Sequence, residues 1–422
     1  MKKITTLLGL SGLLLCQLAS ASTVLTAKHL LDVETGNILK NQYLVIDNGK
    51  IIDITANKSD LPSDAKIIDL GDKYLLPGLM DMHTHVVQNL TKSFYARFFQ
   101  SPHRALIGGV VNAEKTLMAG FTTIRNVGAA DYQDVALRNA INAGEIKGPR
   151  MAVSGPSIGI TGGHCDNNAL NHSFKQKSDG VADGPWSVRE KVRLNVKYGV
   201  DLIKFCATGG VFSKGTKVGQ RQYTFEEMKA IVDEAHTHGR TVAAHAHGTE
   251  GIKYAIKAGV DSIEHASFLD KETIALAKKH GTYLSMDIYN TEYTLAEGEK
   301  NGVPQENIDK ERQVGTVQRE SFSNAVKAKT KMVLGSDAGI YPHGDNAKQF
   351  SRMVRFGMTP LQAIQAATIN SARLLKWQDN LGSLEEGKFA DVIAVDSNPL
   401  KNIATLENVS FVMKNGEIYK QL

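Results

Sequence analysis

A chain of 422 residues is too long for one small domain and suits a large unit with a smaller companion. Its 42% hydrophobic and 22% charged residues exclude a disordered or fibrous chain. The formal charge of +5 is scattered, with no basic run and no basic-aromatic interleaving, so nucleic acid is not an expected partner.

Met1-Lys2-Lys3 followed by apolar residues from Ile4 to Leu15 has the shape of a secretory leader. Ala19-Ser20-Ala21 supplies small residues for cleavage, so 1–21 is expected to be removed and the mature chain exported, periplasmic or secreted. The apolar run is too short to remain as a membrane anchor, and Leu15 is bulkier than lipidation at Cys16 normally accepts. After the leader only Cys165 and Cys206 remain. They read as buried small hydrophobes near the site, with no disulfide framework implied.

From Val24 to Leu76, apolar and polar residues alternate between turn signals, the texture of short antiparallel strands. Asn48-Gly49 between Leu44-Val45-Ile46 and Ile51-Ile52 predicts a tight hairpin. The same texture returns in Ala390 to Val395 and in Val409 to Tyr419, with a second hairpin at Asn415-Gly416. One small β-sandwich built from both termini, 22–76 and 380–422, is therefore expected.

Between them, in 77–379, helices and short apolar strands alternate. Strands are expected at Leu79 to His85, Phe121 to Arg125, Arg150 to Ser154, Asp201 to Cys206, Thr241 to His245, Asp261 to His265, Thr282 to Met286 and Lys331 to Asp337. Glycines such as Gly259 and Gly281 stop the intervening helices. A βα series of eight predicts a (β/α)8 TIM barrel.

Chemistry in such barrels sits at the carboxyl ends of the strands. His83 and His85 are two apart, so on a strand both imidazoles face one way, as half of a zinc site would require. Packed histidines give the same string; the other strand ends strengthen the ligand reading. These carry Lys204, His245, His265 and Asp337. A lysine near an apolar strand end is costly unless paired or modified, although a lone lysine more often snorkels.

Leu76-Pro77-Gly78-Leu79-Met80-Asp81-Met82-His83-Thr84-His85, Lys204, His245, His265, Ser336-Asp337-Ala338-Gly339 and Gly382 to Asp391 resemble the amidohydrolase superfamily. The resemblance covers nearly the whole chain after the leader. It implies two zinc or other divalent ions bridged by a carboxylated Lys204. His83, His85 and Asp337 would hold one ion, and His245 and His265 the other. It also implies a metal-bridging hydroxide as nucleophile, with Asp337 passing its proton to the leaving amine. Within the superfamily the chain resembles the imidazolonepropionase branch. Ile203 to Val211 and Thr161-Gly162-Gly163-His164 resemble its prolidase-like and arginine-carboxypeptidase-like dipeptidases. The implied substrate is a dipeptide of Xaa-Pro or Xaa-Arg/Lys type or an N-acyl amino acid, cut at its C-terminal amide. A cyclic amide of hydantoin or imidazolone type is the rival substrate on the same metals. A barrel that binds without turnover is disfavoured by the full ligand set. No nucleic acid or membrane partner is expected after leader removal, and a homo-oligomer stays open.

Around this set, the resemblance implies that His164 polarises the substrate and that Tyr223 binds its carboxylate, with Arg221 a lesser candidate. The alternative for each is an ordinary loop residue. His247 shares strand parity with His245 but is read as lying behind the ligands, because the strand is expected to end at His245. His343 is a candidate pocket residue, and Asp287 and Glu292 are candidates for favouring a basic leaving residue. His236 and His238 repeat the His-x-His spacing on a helix. There they lie about 200° apart and are not expected to share a metal.

Overall fold

The computed structural model describes residues 22–88, 96 and 99–422; the expected leader, 1–21, lies outside them. The terminal strands are β1 (Thr23–Leu31), β2 (Ile38–Asp47), β3 (Lys50–Thr55), β4 (Lys66–Asp69) and β5 (Tyr74–Pro77). Asn48 and Gly49 take φ of 47° and 76°, so Asp47 faces Lys50 across a two-residue turn whose twist matches the strands. β1 pairs with β4 over Thr23–Thr26 and with β5 over His29–Leu30, while β2 holds its other edge.

The strands that carry the site follow: β6 (Leu79–Thr84), β7 (Phe121–Asn126), β8 (Arg150–Val153), β9 (Leu202–Cys206), β10 (Thr241–Ala246), β11 (Ser262–His265), β12 (Tyr283–Ser285) and β13 (Met332–Val333). β6 to β8 form one parallel sheet and β9 to β13 another. Their edges are bonded to each other. Ile158 bridges Phe205 in parallel, donating to Lys204 O at 2.8 Å and accepting from Cys206 N at 2.9 Å. At the other seam Thr84 bridges Ala338, and Asp337 N donates to His83 O at 2.8 Å. Backbone hydrogen bonds therefore run from β6 through β13 and back to β6.

Helices return the chain between these strands, as parallel pairing demands. They include α1 (Pro102–Met118), α2 (Gln133–Asn142), α3 (Pro185–Lys197), α4 (Phe225–Thr237), α5 (Thr249–Ala258), α6 (Lys271–His280), α7 (Asn290–Glu297) and α8 (Gln305–Lys327). α4 starts on a capping box: Thr224 Oγ accepts from Glu227 N while Glu227 Oε2 accepts from Thr224 N. α5 and α6 end on Gly259 and Gly281 at positive φ. Their inward faces pack with Ile203, Phe205, Val242, Ile263 and Leu284 in one core.

The chain returns at β14 (Val392–Val395), β15 (Phe411–Lys414) and β16 (Glu417–Gln421). β14 pairs antiparallel with β5, so strands from both termini share one eight-stranded sheet. Leu25, Leu44, Ile51, Val392, Phe411 and Met413 form its own core. α1 begins at Pro102, capped by Ser101, whose oxygen accepts from Arg104 N. One departure from the sequence reading is informative. β13 is two residues long because the chain turns away after it, with Asp337 at φ 59°.

Candidate functional site

The ends of these strands converge on a cavity of about 610 Å³. β6 delivers His83 and, just past its end, His85; their rings lie 5.4 Å apart. Both Nε2 atoms approach Asp337 Oδ1, at 3.4 and 3.3 Å. His245 on β10 and His265 at the end of β11 have ring centroids 4.5 Å apart, and His83 lies 4.9 Å from His265. Lys204 on β9 opens into the same cavity and is buried. All six ligand candidates are thus gathered at one place.

Among the described residues, two sets of three donor atoms, the atoms of each within 4.8 Å of one another, could hold a metal ion: His83, His265 and Asp337, and His245, His247 and His265. His83 Nε2 and His245 Nε2 are buried without a hydrogen bond, an unusual condition for ring nitrogens. Imidazole and carboxylate donors of this kind suit a divalent cation such as zinc, and the orphaned nitrogens supply the lone pairs. Burial, then neighbouring positive charge, holds His83 down at about 3 and His85 and His245 well below the usual histidine range. All three stay neutral, the ligand form. Burial also lowers Lys204 to about 8 against the pull of Glu264, and raises Asp337 to about 8 with help from Asp287.

The polar groups behind this cluster went unread in the sequence, apart from Asp287, which was expected to favour a basic leaving residue. Glu264 lies with Oε2 3.0 Å from His83 Nδ1, while its Oε1 accepts from Arg125 at 2.7 Å and Ser262 at 2.6 Å. Burial would raise Glu264, but Arg125, His83 and Lys204 hold it well below the usual range. Asp287 Oδ1 sits 2.9 Å from His265 Nδ1 and accepts from Gln318, while Asn290 donates to both Asp287 Oδ2 and Asp337 Oδ2. Burial lowers His265, yet Asp287 outweighs it and leaves the imidazole raised. Asp81 accepts from His83 N, Ser336 N and Asn346 Nδ2, tying the first and last strand ends together. His265 and Asp337 both take positive φ, at 69° and 59°, a strain tolerated where the surroundings fix the backbone. A charged residue inside each of the strings Leu79 to Met82, Phe121 to Asn126 and Ser262 to His265 was the available signal.

The outlying candidates divide. His164 lines the cavity, stacks on His245 with centroids 4.1 Å apart and bonds Ser213 Oγ through Nδ1 at 2.8 Å. Cys165 beside it forms a disulfide with Cys206 on β9, which corrects the reading of both as isolated hydrophobes. The loop after β8 folds back over β9, bringing together thiols that are 41 residues apart. His247 stands among the donor atoms and not behind them, because β10 runs on to Ala246 and keeps 245 and 247 on one side. Its Nδ1 bonds Ser267 Oγ at 2.8 Å.

Tyr223 does not reach the cavity: it is fully buried, and its hydroxyl donates to Ala182 O at 2.8 Å. Its ring is held in the core against Phe205, so it has no access to a substrate carboxylate. Arg221 turns to Glu250 and to the face of Tyr254. Glu292 is taken by Arg352, Arg319 and Arg355. With Asp287 bound to His265, neither expected acidic residue faces a substrate unpaired. His343 is buried between Thr116 and His85 O, outside the cavity lining.

An α/β chain whose parallel strands end in buried histidines, a lysine and an aspartate able to hold a metal ion defines a class of hydrolytic enzyme. The Amidohydrolase family matches residues 74–419, and the chain belongs to that family. A solved Xaa-Pro dipeptidase with methionine bound in its active site is 40% identical, covers 95% of this chain and 100% of its own, and superposes with a TM-score of 0.90. A solved prolidase complexed with N-methylphosphonate-L-proline is 30% identical with a TM-score of 0.88, over 95% and 100% of the two chains. The ochratoxinase of Aspergillus niger is 33% identical over 413 residues, 91% of this chain and 84% of its own. The protein is therefore a hydrolase acting on amide bonds.

Proposed function

We propose that the chain is an exported binuclear metal amidohydrolase that cleaves the C-terminal amide of dipeptides or N-acyl amino acids. The observation that carries this is the pair of orphaned imidazole nitrogens, on His83 and His245, flanking Asp337 and Lys204 in one cavity. His83, His85 and Asp337 would hold one divalent cation, His245 and His265 a second, and a carboxylated Lys204 would be shared between them. Zinc or a similar ion bound there would supply a readily ionised water near neutral pH and polarise the substrate carbonyl.

The chain's own groups do the rest. Asn290 holds Asp337 by Oδ2, leaving Oδ1 to accept the proton of the attacking water and return it to the leaving nitrogen. Asp287 orients His265, and Glu264 stands behind His83, so both rings are fixed before substrate arrives. His164, oriented by Ser213, faces the cavity and would steady the substrate carbonyl. The prolidase-like and ochratoxinase relatives support a small amide substrate. The eight strands are read as one closed barrel, supported by the bridges at both seams. Export is supported by the leader-like first 21 residues and by the Cys165–Cys206 disulfide, which suits an oxidising compartment.

A panel of Xaa-Pro, Xaa-Lys, Xaa-Arg and N-acyl amino acids, run beside hydantoins and imidazolones, tests the reading. Turnover of the linear amides is expected. Ring opening alone would overturn it in favour of a cyclic amidohydrolase.

A further inference from the structure

Resting on the amide-hydrolase reading, we propose that Glu311 receives a cationic nitrogen of the substrate and biases the site toward peptides carrying one. Glu311 is 4% exposed and lines the cavity from α8. Asn307, Val314 and Gln318 line it from the same helical face, at the spacing that puts them in one stripe. Gln318 bonds Asp287 Oδ1 and His265 O, so this stripe starts at the donor cluster. Seven residues separate Glu311 from Gln318, about 10 Å along the helix, a length a bound dipeptide can span.

Outside the ligand candidate Asp337, the partners of the described buried carboxylates set Glu311 apart. Glu264 has Arg125, and Asp287 has His265 with two side-chain amides. Asp81 has three N–H donors, and Asp134 accepts from Asn126, Gly155 and Val135. Among the described residues Glu311 has one neutral donor, the Thr291 hydroxyl at 2.5 Å. The neighbouring cations are committed elsewhere: Lys310 bonds Ser213 O and Glu306, and Arg319 pairs with Glu292. Burial raises the Glu311 carboxyl to about 7, the state of an acid without a counter-ion. A buried carboxylate short of partners on a cavity wall is satisfied when a ligand brings the charge. That charge is an α-ammonium or a basic side chain; both offer the same N–H donors.

The metal-loaded wild type and Glu311→Gln are compared on two matched pairs: a dipeptide against its N-acetyl form, and Xaa-Lys against Xaa-norleucine. Gln keeps an oxygen for Thr291 while removing the charge. For the cationic member of one pair, kcat/KM should fall about 30-fold, mainly through KM, as expected for a charged hydrogen bond. Its neutral partner should stay within about threefold, and the responding pair identifies the nitrogen. An equal fall on all four substrates, or no change on any, overturns the proposal and leaves the amide-hydrolase reading intact. Wild-type inactivity on all four overturns both. Without any variant, the wild type should prefer the cationic member of that pair at least about tenfold; a ratio near one is contrary.

Discussion

Of the three His-x-His strings in the chain, two, His83-Thr84-His85 and His236-Thr237-His238, read identically and have opposite fates. At the end of β6, His83 is buried and His85 half-buried, and both turn their Nε2 atoms toward one aspartate oxygen. At the end of α4, His236 and the capping His238 have side chains 42% and 38% exposed and go to separate carboxylates, Asp261 at 2.9 Å and Glu234 at 3.2 Å. Spacing is identical, so spacing does not make the site. The element's period does: two residues return a strand to the same face and carry a helix past its opposite face. Burial then removes water as the competing partner and leaves His83 with unsatisfied nitrogens.

The comparison can be broken directly. Asp337→Asn should lower kcat at least about 1000-fold with substrate binding largely kept, because the amide cannot accept a proton. His83→Ala or His85→Ala should abolish metal retention and activity together, read by metal analysis of the purified variant. His236→Ala and His238→Ala should change kcat/KM less than about twofold, as exposed positions away from special features do. Strong loss in either helix variant would mean that the two strings are not distinct in function.

The Cys165–Cys206 bond offers the next test, since it joins the loop carrying His164 to the strand carrying Lys204. Removing both thiols as serines should cost about 3–4 kcal/mol in a denaturant titration, from the chain-entropy estimate for a loop of this size. KM should rise in the same variant as His164 loses its anchor. Unchanged stability and KM would mean that the bond is dispensable.

The smallest effect lies under the helical pair. Arg193, with Arg189 and His238, holds Glu234 down at about 2 against burial. A depressed carboxyl stabilises the fold above its unfolded value and loses that contribution as pH falls from about 4.3 toward the folded one. Glu234→Gln should therefore lower stability by about 0.5–1 kcal/mol at pH 7, as partly exposed pairs do. The difference from wild type should shrink below pH 3; a constant difference would point to packing as the cause.

The six candidate ligands were legible because each lies in or just beyond a short apolar strand, where a polar residue is conspicuous. The hairpins at Asn48-Gly49 and Asn415-Gly416 were equally open, since both residues of each turn need positive φ. What stayed hidden depends on contacts between distant segments. Glu264 meets Arg125 across 139 residues, and Cys165 meets Cys206 only because a loop folds back. Tyr223 looked available in a glycine-rich loop but closes over Ala182 O. The closeness of His247 to His245 and His265 was hidden because the strand, expected to end at His245, runs one residue further. Glu311 could not be seen as short of partners until the surrounding cations had been assigned.

Metal content and the state of residue 204 test the central claim most directly. Protein purified with bicarbonate and a divalent metal should carry two ions per chain, and density or carbon-13 resonance at Lys204 should report a carbamate. At most one ion beside an unmodified Lys204 amine would contradict the account.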